Sequence, residues 1–190
     1  MKFENFNPEI HDVHEVATLI YDVDFRTFDM LFSDKNKAVL AIEKYLDKDE
    51  SIWVILDDLG KIIGMVIFWV NKKPSFWHSF KQLTSFGGLK LFIVDILDHF
   101  VLCDVLQGDV HVAELAISSS QRGKGLGREV LNLVIEESKK RGFNRVTLDA
   151  DFRNTGAKSL YERIGFKTFN KKRVKIGSFE RGMSNMEYTL

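Results

Sequence analysis

Three glycines and two cationic residues alternate in one short segment, Gln121-Arg122-Gly123-Lys124-Gly125-Leu126-Gly127. Glycine lets the backbone adopt positive φ and approach a ligand closely, and the first N–H groups of a following helix have no partner within that helix. With the charges of Arg122 and Lys124, this arrangement is suited to binding a phosphate group. A tight turn without a ligand is the alternative interpretation.

Two well-known phosphate-binding motifs do not fit this segment. A dinucleotide-binding loop has the pattern G-x-G-x-x-G, and Arg128 occupies the position of its third glycine. A Walker loop has Gly-Lys-Ser/Thr, but Lys124 is followed by Gly125. We therefore expect a phosphate-bearing ligand that is held by a loop of another kind.

The elements around the glycines alternate between strand and helix. Val112–Ile117 is predicted as a strand before them, and Arg145–Asp151 as a strand after them. The intervening helix ends at Gly142, the usual residue just past a helix. Its predicted apolar face consists of Leu126, Val130, Leu133 and Val134.

A second helix is predicted after Asn154, a candidate N-cap, and Gly165 ends it. Its apolar residues have helical spacing and are Ala157, Leu160, Tyr161 and Ile164. A further strand begins at Phe166. The whole region is therefore predicted as strand, glycine-rich turn, helix, strand, helix and strand.

The first part of the chain supplies the elements that must position this region. Residues 1–50 are predicted as a short strand and two helices, with Ser33-Asp34 as a candidate cap between apolar stretches. Residues 52–70 are predicted as a hairpin with its turn at 57–60, and Gly64 indicates a bulge in its second strand.

Residues 71–110 are predicted to form one or two helices. An amphipathic helix that covers the core is one interpretation, and a substrate lid or an oligomer interface are the alternatives. Cys103 is predicted to be a buried, unreactive thiol. The apolar residues with helical spacing are Leu89, Phe92, Ile93, Ile96, Leu97 and Phe100.

Composition limits the class of protein. The chain has 190 residues, of which 45% are hydrophobic, enough for one domain with a core. Basic and acidic residues number 27 each, which argues against a nucleic-acid partner, and one cysteine excludes a disulfide framework or a cysteine-based zinc site. With no apolar leader and no uninterrupted apolar stretch of about 20 residues, we expect a cytoplasmic protein without a membrane span.

Two motifs resemble hallmarks of the GNAT superfamily of N-acetyltransferases. Arg122-Gly-Lys-Gly125-Leu-Gly127 is similar to its R/Q-x-x-G-x-G/A signature, and residues 154–166 are similar to its N-x-x-A-x-x-L-Y-x-x-x-G-F run. The resemblance is close over residues 111–169 and looser over residues 1–70. It implies a single α/β (α+β) domain over residues 1–190 with the GNAT acyltransferase fold. In that fold a mixed, largely antiparallel sheet has splayed parallel strands in its middle and helices on both faces, here with a helical insertion at about 71–110.

The resemblance implies acetyl-CoA as the donor and an amine as the acceptor, with no metal. The main chain of Leu115, Ala116 and Ile117 would pair with the pantetheine arm. The N–H groups of the glycine-rich segment would hold the pyrophosphate. For Asn154, a helix cap alone is the alternative. The implied cofactor-binding residues are Leu115, Ala116, Ile117, Gln121, Arg122, Gly123, Lys124, Gly125, Leu126, Gly127, Arg128, Asn154, Ala157 and Tyr161.

Without a plausible cysteine nucleophile, direct attack of the amine on the thioester is the simpler path. Tyr161 matches the family's usual general acid, and a core aromatic residue is the alternative interpretation. His111 lies at a strand end where several members of the family place a Glu or His as the general base. Histidine ordinarily titrates near neutral pH. Glu114 is the alternative base, although it points to the other face of the strand. A path through water is a further alternative for removing the proton.

The leading function is therefore an N-acetyltransferase for a primary amine of a small molecule or a protein. Two alternatives stay open: a non-catalytic module that binds or senses acyl-CoA, and an acyltransferase for a longer acyl group. The acceptor amine is unidentified, and the apolar insertion makes a homodimer plausible.

Overall fold

The computed structural model describes residues 1–73, 88–176 and 179–190, which contain seven strands and six α-helices. The strands are β1 (Lys2–Asn5), β2 (Ile52–Leu56), β3 (Ile62–Val70), β4 (Asp109–Ile117), β5 (Arg145–Asp151), β6 (Lys167–Ile176) and β7 (Phe179–Thr189). The helices are α1 (Val13–Val23), α2 (Phe25–Leu31), α3 (Lys35–Glu43), α4 (Gly88–Val101), α5 (Leu126–Lys140) and α6 (Thr155–Ile164), and a short 3-10 helix covers Ser119–Gln121.

The strands pair in the order β1-β2-β3-β4-β5-β7-β6. The pairs β1–β2, β2–β3, β5–β7 and β6–β7 are antiparallel, whereas β4 and β5 are parallel. The register of the parallel pair runs from Asp109 opposite Arg145 to Val112 opposite Leu148. The mixed, largely antiparallel sheet with a parallel pair in its middle is therefore confirmed.

The chain divides into two compact units. The N-terminal unit contains the described residues 1–68, 88–95 and 114–126. The C-terminal unit contains the described residues 69–73, 96–113, 127–176 and 179–190. Strands β3 and β4 and helix α4 each contribute residues to both units.

The N-terminal unit contains three helices before β2, so the prediction of two helices in residues 1–50 is wrong. Helix α1 ends at Val23 and α2 begins at Phe25, because Asp24 (φ −128°, ψ 42°) leaves the helical conformation. Apolar spacing continues past this break, since Tyr21 and Phe28 belong to one buried cluster. The predicted cap is confirmed: the Asp34 carboxylate accepts the N–H of Asn36 at the start of α3.

The predicted hairpin and its bulge are confirmed in β2 and β3. Ile55 lies opposite Gly64 while Leu56 lies opposite Ile62, so one extra residue sits in β3 at this point. A Cβ atom on Gly64 would lie 2.6 Å from the carbonyl oxygen of Ala116 in β4. Glycine is therefore required here because a neighbouring backbone approaches too closely for any side chain.

Helix α4 confirms a helix in the 71–110 insertion, and residues 74–87 of that insertion lie outside the described residues. The predicted apolar face is only partly correct, because Leu89 and Phe100 are 59% and 61% exposed. The buried residues are Val94, Leu97 and Val101. Since α4 is apolar on more than one side, packing rather than spacing selects the face that is buried.

Helix α5 shows the same effect. Val130 and Val134 are buried as predicted, but Leu133 is 48% exposed. Leu131 and Ile135 are buried in its place. In β5 the alternation of apolar and polar residues correctly predicted the buried face, since Val146, Leu148 and Ala150 are all buried.

Arg145 joins three strands of the C-terminal unit. Its Nε and Nη2 atoms donate to the two carboxylate oxygens of Asp109 in β4 at 2.7 and 2.9 Å, and Nη1 donates to Glu187 in β7 at 2.6 Å. These hydrogen bonds raise the pKa of Arg145 above its ordinary value. The Asp109 side chain is 3% exposed, and it receives the Arg145 guanidinium together with the backbone N–H of Leu106, so the guanidinium compensates the charge of a buried carboxylate.

Replacing Arg145 by Met should lower the free energy of unfolding by about 3 kcal/mol, because the buried Asp109 carboxylate loses its cation. Arg141→Met is the matched control, since the pair of Arg141 with Glu137 is exposed and screened by solvent, so its loss should change stability much less. Urea denaturation at pH 7 measures both changes. Equal losses in the two variants would contradict this assignment.

Candidate functional site

The glycine-rich segment forms an exposed loop in the N-terminal unit. It follows the end of β4 at Ile117 and leads into α5 at Leu126. Gly123 and Gly125 have φ values of +79° and +83°, so both adopt the left-handed conformation that favours glycine. A Cβ atom on either glycine would meet nothing within 4 Å, so their backbone is open to an approaching ligand.

The cationic side chains of the loop are partly engaged within it. Arg122 Nε donates to the carbonyl oxygen of Ile117 at 3.0 Å, which fixes the loop to the end of its strand. Lys124 Nζ donates to Gln121 Oε1 at 2.8 Å. Arg122 thus shapes the loop as well as charging it, a role that its position in the motif does not reveal.

The start of α5 contacts α6 in the C-terminal unit. A Cβ atom on Gly127 would lie 3.6 Å from the Leu160 side chain, and Arg128 Nη2 donates to the carbonyl oxygen of Arg163 at 3.4 Å. The structure therefore brings the end of the first motif to the helix that carries the second.

Helix α6 begins and ends as its sequence predicts. The Asn154 side chain accepts the N–H of Ala157 at 3.0 Å, and Gly165 ends the helix with φ +119°. Tyr161 is half-buried and its ring lies 6.2 Å from that of Phe166. Burial, together with the charge of Asp149, raises the pKa of the Tyr161 hydroxyl to about 12, so it is protonated at neutral pH.

His111 lies in the buried half of β4, where it has no exposed surface. Its Nδ1 atom is 2.9 Å from Thr147 Oγ1 and 3.2 Å from Cys103 Sγ, and its ring stacks on Trp69. Burial and the charge of Lys73 lower the pKa of His111 to about 3. The ring is therefore neutral at pH 7 and is a weak base there.

Asp149 is a candidate that the sequence analysis missed. Its carboxylate is 3% exposed, with Oδ1 2.5 Å from Asn185 Nδ2 and Oδ2 3.0 Å from the N–H of Cys103. Burial raises the pKa of this carboxyl to about 6, near the range in which a general base operates. The sequence signal that could have identified Asp149 is an acidic residue in the middle of β5, a strand whose other face is apolar.

Cys103, His111 and Asp149 form a hydrogen-bonded group in the C-terminal unit. Their donor atoms all lie within 4.8 Å of one another, a spacing that also suits a metal site. Cys103 Sγ, however, approaches Nδ1 of the ring, while Asp149 Oδ2 lies 3.4 Å from Nε2. A single ion binds one ring nitrogen, so this placement does not suit a coordination centre. Nε2 has no hydrogen-bond partner among the described residues, and Cys103 links the group through its thiol and its backbone N–H.

Cys103 is buried, as predicted. Burial, followed by the charge of Asp149, raises the pKa of its thiol to about 12. The thiol is therefore protonated and weakly nucleophilic at neutral pH. Glu114, the other predicted base, is half-buried in β4 and belongs to the N-terminal unit.

Comparison with known proteins agrees with this arrangement. The sequence model of the acetyltransferase (GNAT) family matches residues 17–166. The chain belongs to this family. Because that match includes the glycine-rich loop and α6, the predicted GNAT resemblance is confirmed.

Two curated relatives are themselves named N-acetyltransferases. An uncharacterised N-acetyltransferase of Bacillus subtilis is 25% identical over 134 residues, which cover 70% of this chain and 52% of that protein. N-alpha-acetyltransferase 30 of Schizosaccharomyces pombe is 31% identical over 77 residues, covering 36% and 51%. The chain thus spans about half the length of these curated relatives.

A solved structure supports the fold of this GNAT protein. An N-acetyltransferase from Staphylococcus aureus superimposes with a TM-score of 0.71 at 17% identity, covering 99% of this chain and 100% of that one. At 17% sequence identity, this similarity is evidence for the fold alone. Among the described residues, no helix has both the length and the apolar character needed to cross a membrane.

The raised pKa of Asp149 predicts a pH-dependent effect on stability. Its pKa is about 6 in the folded protein and 3.8 ordinarily, so the fold favours the protonated form and loses stability as the pH rises from about 4 through 6. Asp149→Asn should therefore be more stable than the wild type at pH 8, by up to about 3 kcal/mol, and similar to it at pH 4.

Thermal and urea denaturation at the two pH values measure this difference. Asp151→Asn, at the end of the same strand, controls for the loss of a β5 carboxylate and should have a smaller effect. If Asp149→Asn changes stability equally at pH 4 and pH 8, the carboxyl does not carry the raised pKa.

Proposed function

We propose that this protein is an N-acetyltransferase that transfers the acetyl group of acetyl-CoA directly to a primary amine of a small molecule or a protein. The observation that carries the proposal is the Asp149 carboxyl, which is buried and has a pKa of about 6. The same unit contains Tyr161, whose hydroxyl has a pKa of about 12. One group can accept a proton near neutral pH, and the other stays protonated and can donate one.

Each group has a defined task in direct transfer. Acetyl-CoA supplies an activated thioester when it is bound. Asp149 accepts the proton that the acceptor ammonium must lose before its nitrogen can attack. Tyr161 donates its proton to the leaving sulfur, and the second proton that the nitrogen loses after attack restores the Tyr161 hydroxyl. Direct attack is favoured over an acetylated enzyme because burial keeps the Cys103 thiol protonated.

Asp149 is the preferred base because the alternatives are weaker candidates. His111 has a pKa of about 3 and no exposed surface, so at neutral pH its ring serves better as a neutral neighbour of Asp149. Glu114 stays as the alternative base, on the opposite face of β4 from His111. A path through water is compatible with either carboxylate.

The loop between β4 and α5 is proposed to hold the pyrophosphate of acetyl-CoA. Its two positive-φ glycines leave the backbone open, as a phosphate ligand requires, and Arg122 and Lys124 add positive charge. The main chain of Leu115, Ala116 and Ile117 is proposed to pair with the pantetheine arm. The other proposed contacts are Gln121, Leu126, Gly127, Arg128, Asn154, Ala157 and Tyr161.

Residues 1–190 are proposed to act as a single GNAT domain. The match to the Staphylococcus aureus structure over 99% of this chain supports that interpretation. One relative is named an N-alpha-acetyltransferase, which supports a protein α-amine as one candidate acceptor.

Acetyl-CoA should stabilise the protein against heat, by about 2.7 kcal/mol at a concentration 100 times its Kd. Arg122→Glu should abolish this shift, because it reverses a charge in the loop and removes the hydrogen bond to Ile117. Lys139→Glu, an equal charge reversal at the end of α5, should leave the shift intact. A thermal-shift titration measures all three proteins.

The same titration separates the alternatives. A shift that grows with acyl-chain length would favour a longer acyl donor. Binding without turnover across a panel of amines would indicate a sensor. A folded protein that responds to no acyl-CoA would contradict the proposed function.

Tyr161→Phe should lower kcat by about a hundredfold or more while acetyl-CoA affinity changes little, because only the donated proton is lost. Tyr188→Phe, which removes a hydroxyl near the same Phe166 ring, is the matched control and should leave kcat unchanged. Steady-state kinetics with a saturating amine measures both. An unaltered kcat in Tyr161→Phe would remove this residue from the mechanism.

A further inference from the structure

Asn185 in β7 is the direct cross-strand partner of Asp149 in β5. It has no exposed surface, and its Nδ2 atom lies 2.5 Å from Asp149 Oδ1 and 3.2 Å from the carbonyl oxygen of Val101. Both hydrogens of this amide nitrogen therefore have acceptors, one on the carboxylate and one on the last residue of α4. The amide is held in one orientation by two separate elements.

The second carboxylate oxygen of Asp149 is held by the segment that follows α4. Asp149 Oδ2 accepts the backbone N–H of Cys103, two residues beyond the end of that helix, at 3.0 Å. Each oxygen thus has one donor, one from β7 and one from the segment after α4. Two donors at a buried carboxylate fix its plane and favour its charged form.

The Asn185 side-chain oxygen is different. Oδ1 is buried and has no hydrogen-bond partner among the described residues. An unsatisfied buried oxygen costs stability, so this oxygen does not explain why an asparagine stands here. The amide is explained by what its nitrogen donates to Asp149 rather than by its contribution to the core.

We propose that Asn185 is a positioning residue for acetyl transfer, which orients the Asp149 carboxylate and keeps it ionised so that it can accept the acceptor's proton. This inference rests on the proposed function. It concerns a residue that touches neither the donor nor the acceptor and acts through Asp149. Neither motif contains it.

The charges around Asp149 explain why this hydrogen bond matters. Burial raises the pKa of Asp149, and the Asn185 hydrogen bond is the strongest influence that lowers it, followed by the N–H of Cys103 and the charges of Lys73 and Lys172. Both lysines are anchored elsewhere: Lys73 Nζ donates to the carbonyl oxygens of Asp98 and His99, and Lys172 Nζ to that of Leu102.

The other titratable groups beside Asp149 carry no charge at pH 7. These groups are the neutral ring of His111, the protonated thiol of Cys103 and the protonated hydroxyl of Tyr161. Asp98 and Asp104 lie further out and pair with Arg181 and Lys172. Without the Asn185 donor, the N–H of Cys103 and the charges of Lys73 and Lys172 remain to oppose the effect of burial on the pKa of Asp149.

The test is the pH profile of kcat/KM for Asn185→Leu, which removes the donor and keeps the number and branching of the side-chain heavy atoms. Its acid limb should move upward by about one to two pH units, the effect of losing one hydrogen bond to a charged group. At pH values well above the new limb, activity should recover towards that of the wild type. Asn185→Ser, whose hydroxyl is too short to replace the amide, should shift the limb in the same direction if the leucine variant folds poorly.

Asn170→Leu is the matched control. Asn170 is exposed on β6 and pairs with Asn185 in the register of the sheet, so the same substitution is made one strand away. Its pH profile should match that of the wild type. A loss of activity in Asn185→Leu that is equal at every pH, with an unmoved acid limb, would show a purely structural role and overturn the proposal.

A titration of the Asp149 carboxyl by carbon-13 NMR needs no turnover. Its midpoint should rise in Asn185→Leu by the same one to two units, and an unmoved midpoint would overturn the proposal. This measurement also separates the two levels of inference. A wild-type protein without turnover contradicts the proposed function, whereas normal turnover with an unmoved midpoint contradicts the role of Asn185 alone.

Discussion

The desolvation of a single carboxyl group is the constraint on which the proposed chemistry depends. The ordinary pKa of an aspartate is near 3.8, where the carboxylate is a weak base, and burial alone would raise the pKa of Asp149 beyond the value of about 6 that it has in the fold. Two hydrogen-bond donors and two lysines bring it to an intermediate value. The fold bears the cost of this balance, since a polar group held out of water always opposes folding.

The structural supports of this carboxyl come from elements that are far apart in sequence. Strand β7 supplies Asn185, the segment after α4 supplies Cys103, and β4 supplies His111. Arg145 fastens β5 to both β4 and β7 at the beginning of the same strand, outside the reacting region. A rigid arrangement of these strands is what allows one carboxylate to keep a fixed orientation.

Local features of the structure could be predicted from sequence because their causes are local. The Asp34 and Asn154 caps, the positive-φ glycines and the end of α6 at Gly165 each depend on a few neighbouring residues. The motifs around Arg122 and Tyr161 identified the family for the same reason, since each is a short run with fixed spacing.

What could not be predicted depends on contacts between distant segments. Alternation in β5 shows that Asp149 lies opposite the apolar face, but not that the end of α4 covers it. His111 was expected to be available to exchange protons, whereas Trp69, Cys103 and Thr147 enclose its ring. Leu89, Phe100 and Leu133 were assigned to buried faces because helical spacing cannot choose between two apolar stripes.

The position of Cys103 gives the protein an internal reporter. It is the single cysteine of the sequence, its thiol is buried, and its backbone N–H binds the carboxylate that the proposed reaction uses. A thiol reagent reaches the buried thiol only through a local opening, and opening of the segment after α4 would expose it, so the rate of labelling is an upper limit on the frequency of that opening. Any acceptor that must displace this segment to reach Asp149 can be acetylated no faster than Cys103 becomes accessible.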